Sequence, residues 1–229
     1  MNNEIILQSA LKTLEIPSNI KIKLIKSKRA PPYSTLVICK PGPNGKSLEY
    51  IIEYRKNLNS DLLRHELCHL KLHLMGLPVM QADIDSPISL RGQVLNTLHE
   101  DYYVHIIMHH KFLQSFSSLI KKGLANHHHE LHIHDEDNDD LQAWLLQMYV
   151  LKLAIFEVLG YDKEAEEIRE EMDHLREKSH GTLYSYLTSV LDYLKTLPPL
   201  DKTLRELTVE EKGVIRKVIQ SINNIDISR

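Results

Sequence analysis

Two histidines four residues apart, with a glutamate beside the first, stand at His65-Glu66-Leu67-Cys68-His69, inside the run DLLRHELCHLKLHLMGLP. On a helix, residues i and i+4 lie one above the other, so His65 and His69 point the same way and can share one metal ion. Zinc suits two such nitrogens, and Glu66 is placed to take a proton from a zinc-held water. The pattern has this meaning only on a helix. Its flanks predict one: Asn59 and Ser60 are N-cap types, Asp61 brings negative charge to the first turn, and Gly76 and Pro78 supply a stop. The chain holds 14 histidines, so the motif needs that support. Without it, the same residues would read as a charged, solvated helix face.

The helix interior adds a second signal. Leu63, Leu67, Leu70 and Leu74 form one apolar stripe, and His65, His69 and His73 form another on the opposite side. A helix of this kind is expected to be buried on both sides, and a buried histidine stripe needs partners, of which a metal is one. Catalytic zinc takes three protein groups and leaves a fourth position to water. His73 lies eight residues from His65, about 12 Å of helical rise, so one straight helix cannot bring all three histidines to an ion of this size. Leu72 and Met75 occupy the glycine and third-histidine places of the longer H-E-x-x-H-x-x-G-x-x-H pattern, which therefore fails.

The third ligand is expected from the next helix, Ser89 to His110, whose apolar stripe is Leu95, Leu98, Tyr102 and Ile106. Glu100 is the best placed carboxylate. Asp101 and His99 are the fallbacks, and Cys39 is a weaker one. Amide hydrolysis also needs a donor for the developing oxyanion, and Tyr102, Tyr103 and His105 are candidates, with Tyr103 and His105 preferred.

Elements must hold these residues in place, and the sequence predicts them in order. Residues 3–15 read as a short helix ended by Pro17. Ile20 to Ile25 alternate as a half-exposed strand with lysines on the wet face, and Ser34 to Cys39 form a more buried strand. A turn at Pro41 to Gly45 leads into a third strand, Ser47 to Tyr54, antiparallel to the second. That third strand is a candidate to take an extended peptide substrate by strand addition. Later helices are expected over Asp140–Leu159, Asp162–Lys178, Leu183–Leu197 and Thr208–Asn223, with Asp162 as an N-cap and Thr208-Val-Glu-Glu as a capping start.

Between the halves lies NHHHELHIHDEDNDD, Asn126 to Asp140. It reads as a solvated connection, although Glu130, His132 and His134 would reach the zinc if the segment folded over the site. The expected division is a zincin-like core over residues 1–125, the His/Asp-rich loop 126–140 with its His127–His134 run, and a helical extension over 141–229. The class is α+β, mostly α, with a small antiparallel sheet.

Composition sets the outer limits. At 229 residues and net charge −3, nothing electrostatic argues for nucleic acid or an anionic membrane. Two cysteines, Cys39 and Cys68, suit a reducing compartment. The N-terminus has no basic start followed by a long apolar core. Trp144 to Gly160 is interrupted by Gln147, Lys152 and Glu157, as a core helix would be and a membrane span would not. A cytoplasmic location is expected.

HELCHLKLH, a short sheet before it and a glutamate-bearing helix about thirty residues after it resemble the gluzincin group of zinc metallopeptidases, most closely the small ImmA/IrrE-type peptidases. The resemblance covers residues 20–110. It implies that His65, His69 and Glu100 bind one zinc ion, that Glu66 is the general base, and that the substrate is a protein or peptide. Two positions depart from the group. Val104 stands where larger members often carry an aspartate, and Cys68 where a small residue is usual. The other class in view is a helical interaction or regulatory protein with a structural zinc; a structural site, however, has no use for Glu66. A deformylase-type site would need a cysteine in a glycine-bearing motif that VICKPGP around Cys39 does not match. Substrate identity and oligomeric state are not written in the sequence.

Overall fold

The computed structural model describes residues 3–28, 35–41, 48–54, 58–78, 89–125, 139–178 and 181–225, with the side chains of 3, 35–41, 48–49, 90, 121–125, 139–140, 175 and 177–178 left aside. The chain is mostly helical with one small sheet. It divides into two compact units that interleave along the sequence: Met1–Leu74 with Ile107–Leu119, and Met75–Ile106 with Ile120–Arg229. The run 126–138 lies outside the described residues.

In the first unit, α1 (Asn3–Thr13) buries Ile6, Leu7 and Ala10, and Leu14 just beyond its end. It closes with Glu15 in the left-handed region, φ 52°, and with the Ile16 N–H donating to the Leu11 carbonyl at 3.0 Å. Three strands follow: β1 (Lys21–Lys26), β2 (Thr35–Pro41) and β3 (Leu48–Tyr54). Their spatial order is β1-β3-β2. β3 runs antiparallel to β2 but parallel to β1, Lys21 lying opposite Glu49 and Lys26 opposite Tyr54. The sheet is therefore mixed, not the antiparallel one expected. Alternation in a sequence tells which face of a strand is wet but not the direction of its neighbour. The centre of the sheet is β3, where Tyr50, Ile51 and Ile52 are buried. With both its edges taken, β3 cannot accept an added peptide strand, and that expectation falls.

The motif helix is α2 (Ser60–Leu74), as its caps predicted. The Asn59 side chain accepts the Asp61 N–H at 2.9 Å, and Gly76 adopts φ 80° just past the end. Leu63, Leu67 and Leu70 are buried, and so are Cys68 and Leu72 on other faces, which gives the helix more than one packed side. At the other end of the unit, α4 (Leu113–Ala125) contributes Ser115 and Phe116.

Helix α3 (Leu90–Lys111) runs through the boundary between the units. Leu95, Leu98, Tyr102 and Ile106 are buried as expected, but Tyr103, Val104, Ile107 and Met108 are buried as well. A helix that is covered nearly all round is a core element rather than a one-striped surface helix.

The rest of the second unit is helical. α5 (Asp139–Leu145), a π turn (Leu146–Leu151) and α6 (Lys152–Leu159) form one continuous rod ended by Gly160 at φ 74°. The stretch Leu141–Leu159 is long and apolar enough to cross a membrane, and 67% of it is buried inside the protein, as a core helix would be. α7 (Asp162–Lys178), α8 (Gly181–Lys195) and α9 (Val209–Asn223) complete the unit. Asp162 is the first residue of its helix rather than its cap. Thr208 does cap α9, in a reciprocal box with Glu211.

Candidate metal centre

α2 turns His65 and His69 to one face because they are one helical turn apart. Both rings are half-buried, with centroids 4.9 Å apart. Their Nε2 atoms are 3.2 Å apart. With zinc–nitrogen bonds of about 2.0–2.1 Å, two corners of a tetrahedron stand roughly 3.3 Å apart, so this pair has the spacing the ion requires. His65 and His69 belong to the first unit and Asp101 to the second, and all three residues are half-buried. Two imidazoles and a carboxylate are a donor set that fits zinc and leaves one position for another ligand.

Of the two carboxylates on α3, Asp101, the fallback, is half-buried, whereas Glu100 is 6% exposed. Consecutive residues on a helix point about 100° apart, so one rotation of α3 cannot serve both. His99, the other fallback, is 1% exposed and donates from Nε2 to the Pro78 carbonyl at 3.0 Å. His73 rests edge-on against the Tyr50 ring at 6.4 Å, which accords with its exclusion on distance. Cys68 is a free, fully buried thiol. Burial pushes its pKa up, and the nearby Glu66 carboxylate pushes the same way. Of Cys39 the structure describes only the backbone, in β2.

The oxyanion candidates separate clearly. Tyr103 is fully buried and its hydroxyl donates to the Pro198 carbonyl at 2.8 Å. It is committed inside the second unit and is set aside. Tyr102 is 4% exposed, and burial pushes its hydroxyl up to about 12. His105 is half-buried and stands one turn beyond Asp101 on the same face of α3. It remains a candidate.

One contributor escaped the sequence reading. Arg64, directly before the motif, donates to the Ser115 Oγ of α4 at 2.7 Å and to Asp61 Oδ1 at 3.5 Å. Its guanidinium also lies 5.6 Å from the Phe112 ring centroid. This ties the rotation of α2 to the start of α4, and rotation decides where His65 and His69 point. The Asp61–Arg64 spacing was a visible hint, but Ser115 is 51 residues away.

Comparison with protein-family models, characterised proteins and solved structures finds no match to this chain.

Proposed function

We propose that the chain is a zinc-dependent peptide hydrolase, with His65, His69 and Asp101 holding one ion and Glu66 handling the proton. The observation that supports this most is the pair of half-buried imidazoles on one face of α2, their Nε2 atoms 3.2 Å apart. Zinc held by that set would polarise a scissile amide and lower the pKa of a bound water. Glu66 follows His65 on α2, next to the donor face, where a carboxylate can take up a proton and return it to the departing amine. His105 supplies an N–H on the Asp101 face of α3, suited to developing negative charge. Arg64 keeps α2 in rotation.

On this reading α2 would act as the motif helix and α3 as the ligand helix of a zincin-like core, and the gluzincin resemblance would apply to His65, Glu66 and His69. The carboxylate differs, being one residue on from the expected glutamate. A cytoplasmic protein or peptide substrate goes with this reading, and neither nucleic acid nor membrane is proposed as a partner.

The test is metal content by mass spectrometry on the purified full chain. The expectation is about one zinc per chain in the wild type and in Glu100→Gln, and a loss of most of it in Asp101→Asn. A wild-type protein without zinc would overturn the proposal, and zinc lost only in Glu100→Gln would restore the glutamate as ligand.

A further inference from the structure

The connection from α8 to α9, residues 196–208, is held more tightly than a surface loop needs to be. Leu197, Leu200, Leu204 and Leu207 are all buried. Leu204 stands in the left-handed region at φ 53°, which a leucine keeps only where its surroundings hold it there. The hold is visible on both sides of it. The Thr203 N–H donates to Asp201 Oδ1 at 2.8 Å, and the Leu204 N–H donates to the Asp201 carbonyl at 2.9 Å. The Arg205 guanidinium forks onto both carboxylate oxygens of Glu211, at 2.8 and 2.9 Å, and Glu211 closes the α9 cap with Thr208.

What this connection grips is specific. The Leu207 N–H donates at 2.9 Å to the carbonyl of Met75, the residue that follows α2. Lys212, in the first turn of α9, pairs with Glu206 at 3.1 Å. It covers Gly76 so closely that a Cβ there would stand 2.5 Å from its Nζ. The Pro198 carbonyl accepts the Tyr103 hydroxyl of α3 at 2.8 Å. All of these contacts lie within the second unit. Successive helix residues turn by about 100°, so Tyr103 stands about 200° round α3 from Asp101. A bond on that far side fixes the rotation of α3 about its own axis, and rotation decides where Asp101 points.

We propose that the α8–α9 connection is a positioning clasp for the metal centre, holding Met75 and Gly76 where α2 ends and Tyr103 on α3. The inference rests on the zinc reading above. Tyr103, Arg205 and Lys212 are not ligands in it; they act through the segments they hold. Coupling between two sites is reciprocal, so a clasp that favours zinc must itself be tightened by zinc.

The test uses the full chain, zinc affinity from competition with a fluorescent chelator, and amide hydrogen exchange followed by mass spectrometry. Zinc should slow exchange of the peptide that contains Leu207 in the wild type. Tyr103→Phe and Arg205→Gln should each weaken zinc binding about tenfold with far-UV circular dichroism unchanged. Ile155→Val, a core change in the rod remote in sequence from the clasp, should lower stability and leave zinc affinity as it was. If Tyr103→Phe fails to fold, Arg205→Gln and the exchange measurement decide. Wild-type zinc affinity in the clasp variants, with Leu207 exchange indifferent to zinc, would overturn the clasp and leave the zinc reading standing. An equal loss of affinity in Ile155→Val would also overturn it, because general stability would then explain the effect. A wild-type chain that binds no zinc would overturn both.

Discussion

Two helices, α2 and the rod from Asp139 to Leu159, bury ionisable side chains in opposite ways. In α2, His65 and His69 bring their Nε2 atoms to 3.2 Å. In the rod, Lys152 is 7% exposed and its Nζ lies 3.4 Å from the Met148 sulfur. Burial pulls the Lys152 pKa down to about 8, and the Glu171 carboxylate works against that fall. Tyr149, in the π turn, is pushed up by burial and by Glu171, to which its hydroxyl is hydrogen-bonded. The π turn shifts the phase of the helix, leaving Leu146, Tyr149, Val150 and Leu151 all buried. Donors that converge on one point can share a cation from solution. A single buried ammonium must be offset by the protein's own groups. Convergence, rather than burial alone, distinguishes a site from a costly detail of packing.

That contrast can be broken most decisively at Glu66. Glu66→Gln should lower peptide cleavage by about 10²–10⁴-fold while zinc content stays at the wild-type level. Mass spectrometry of a mixed peptide library, incubated with each protein, reads the cuts that the variant loses. Equal cutting by both would mean that α2, like the rod, holds its polar groups for structure alone.

Arg64→Ala should have a smaller effect, felt as stability. It leaves the buried Ser115 hydroxyl without its donor and removes the contact with Phe112, at a cost of about 1–3 kcal/mol. Urea melts of both proteins measure it, and zinc affinity should weaken alongside if the arginine positions the histidines.

The smallest change is expected at Lys152. Lys152→Met should stabilise the chain at neutral pH, by about 1 kcal/mol, because an apolar side chain needs no counter-charge. The sign of the pH dependence is specific. Between about pH 8 and the ordinary lysine value, the unfolded chain still holds a proton that the folded chain has released. Wild-type stability should therefore rise with pH across that window relative to the variant. Melts at pH 7, 8 and 9.5 give the difference, and a flat difference would show that Lys152 titrates normally.

Much of this was legible because it is local. The α2 caps, the i,i+4 histidines and the apolar stripe lie within one stretch, and a 3.6-residue period suffices to align them. The Thr208–Glu211 box is equally local. There the Arg205 guanidinium and the Thr208 N–H hold the Glu211 carboxyl down at about 2. The sequence by itself thus determined the motif helix, the shared face of His65 and His69 on it, and most helix positions.

Tertiary structure decided what depends on rotation and pairing. Glu100 and Asp101 are neighbours in sequence, and only the packing around α3 leaves the first buried and the second half-buried. Tyr103 looked free until its hydroxyl met Pro198, 95 residues away. β1 took a parallel place beside β3, which alternation cannot encode. The physical reason is common to all three. A period specifies the face a residue occupies on its own element, while packing between distant segments sets what that face meets.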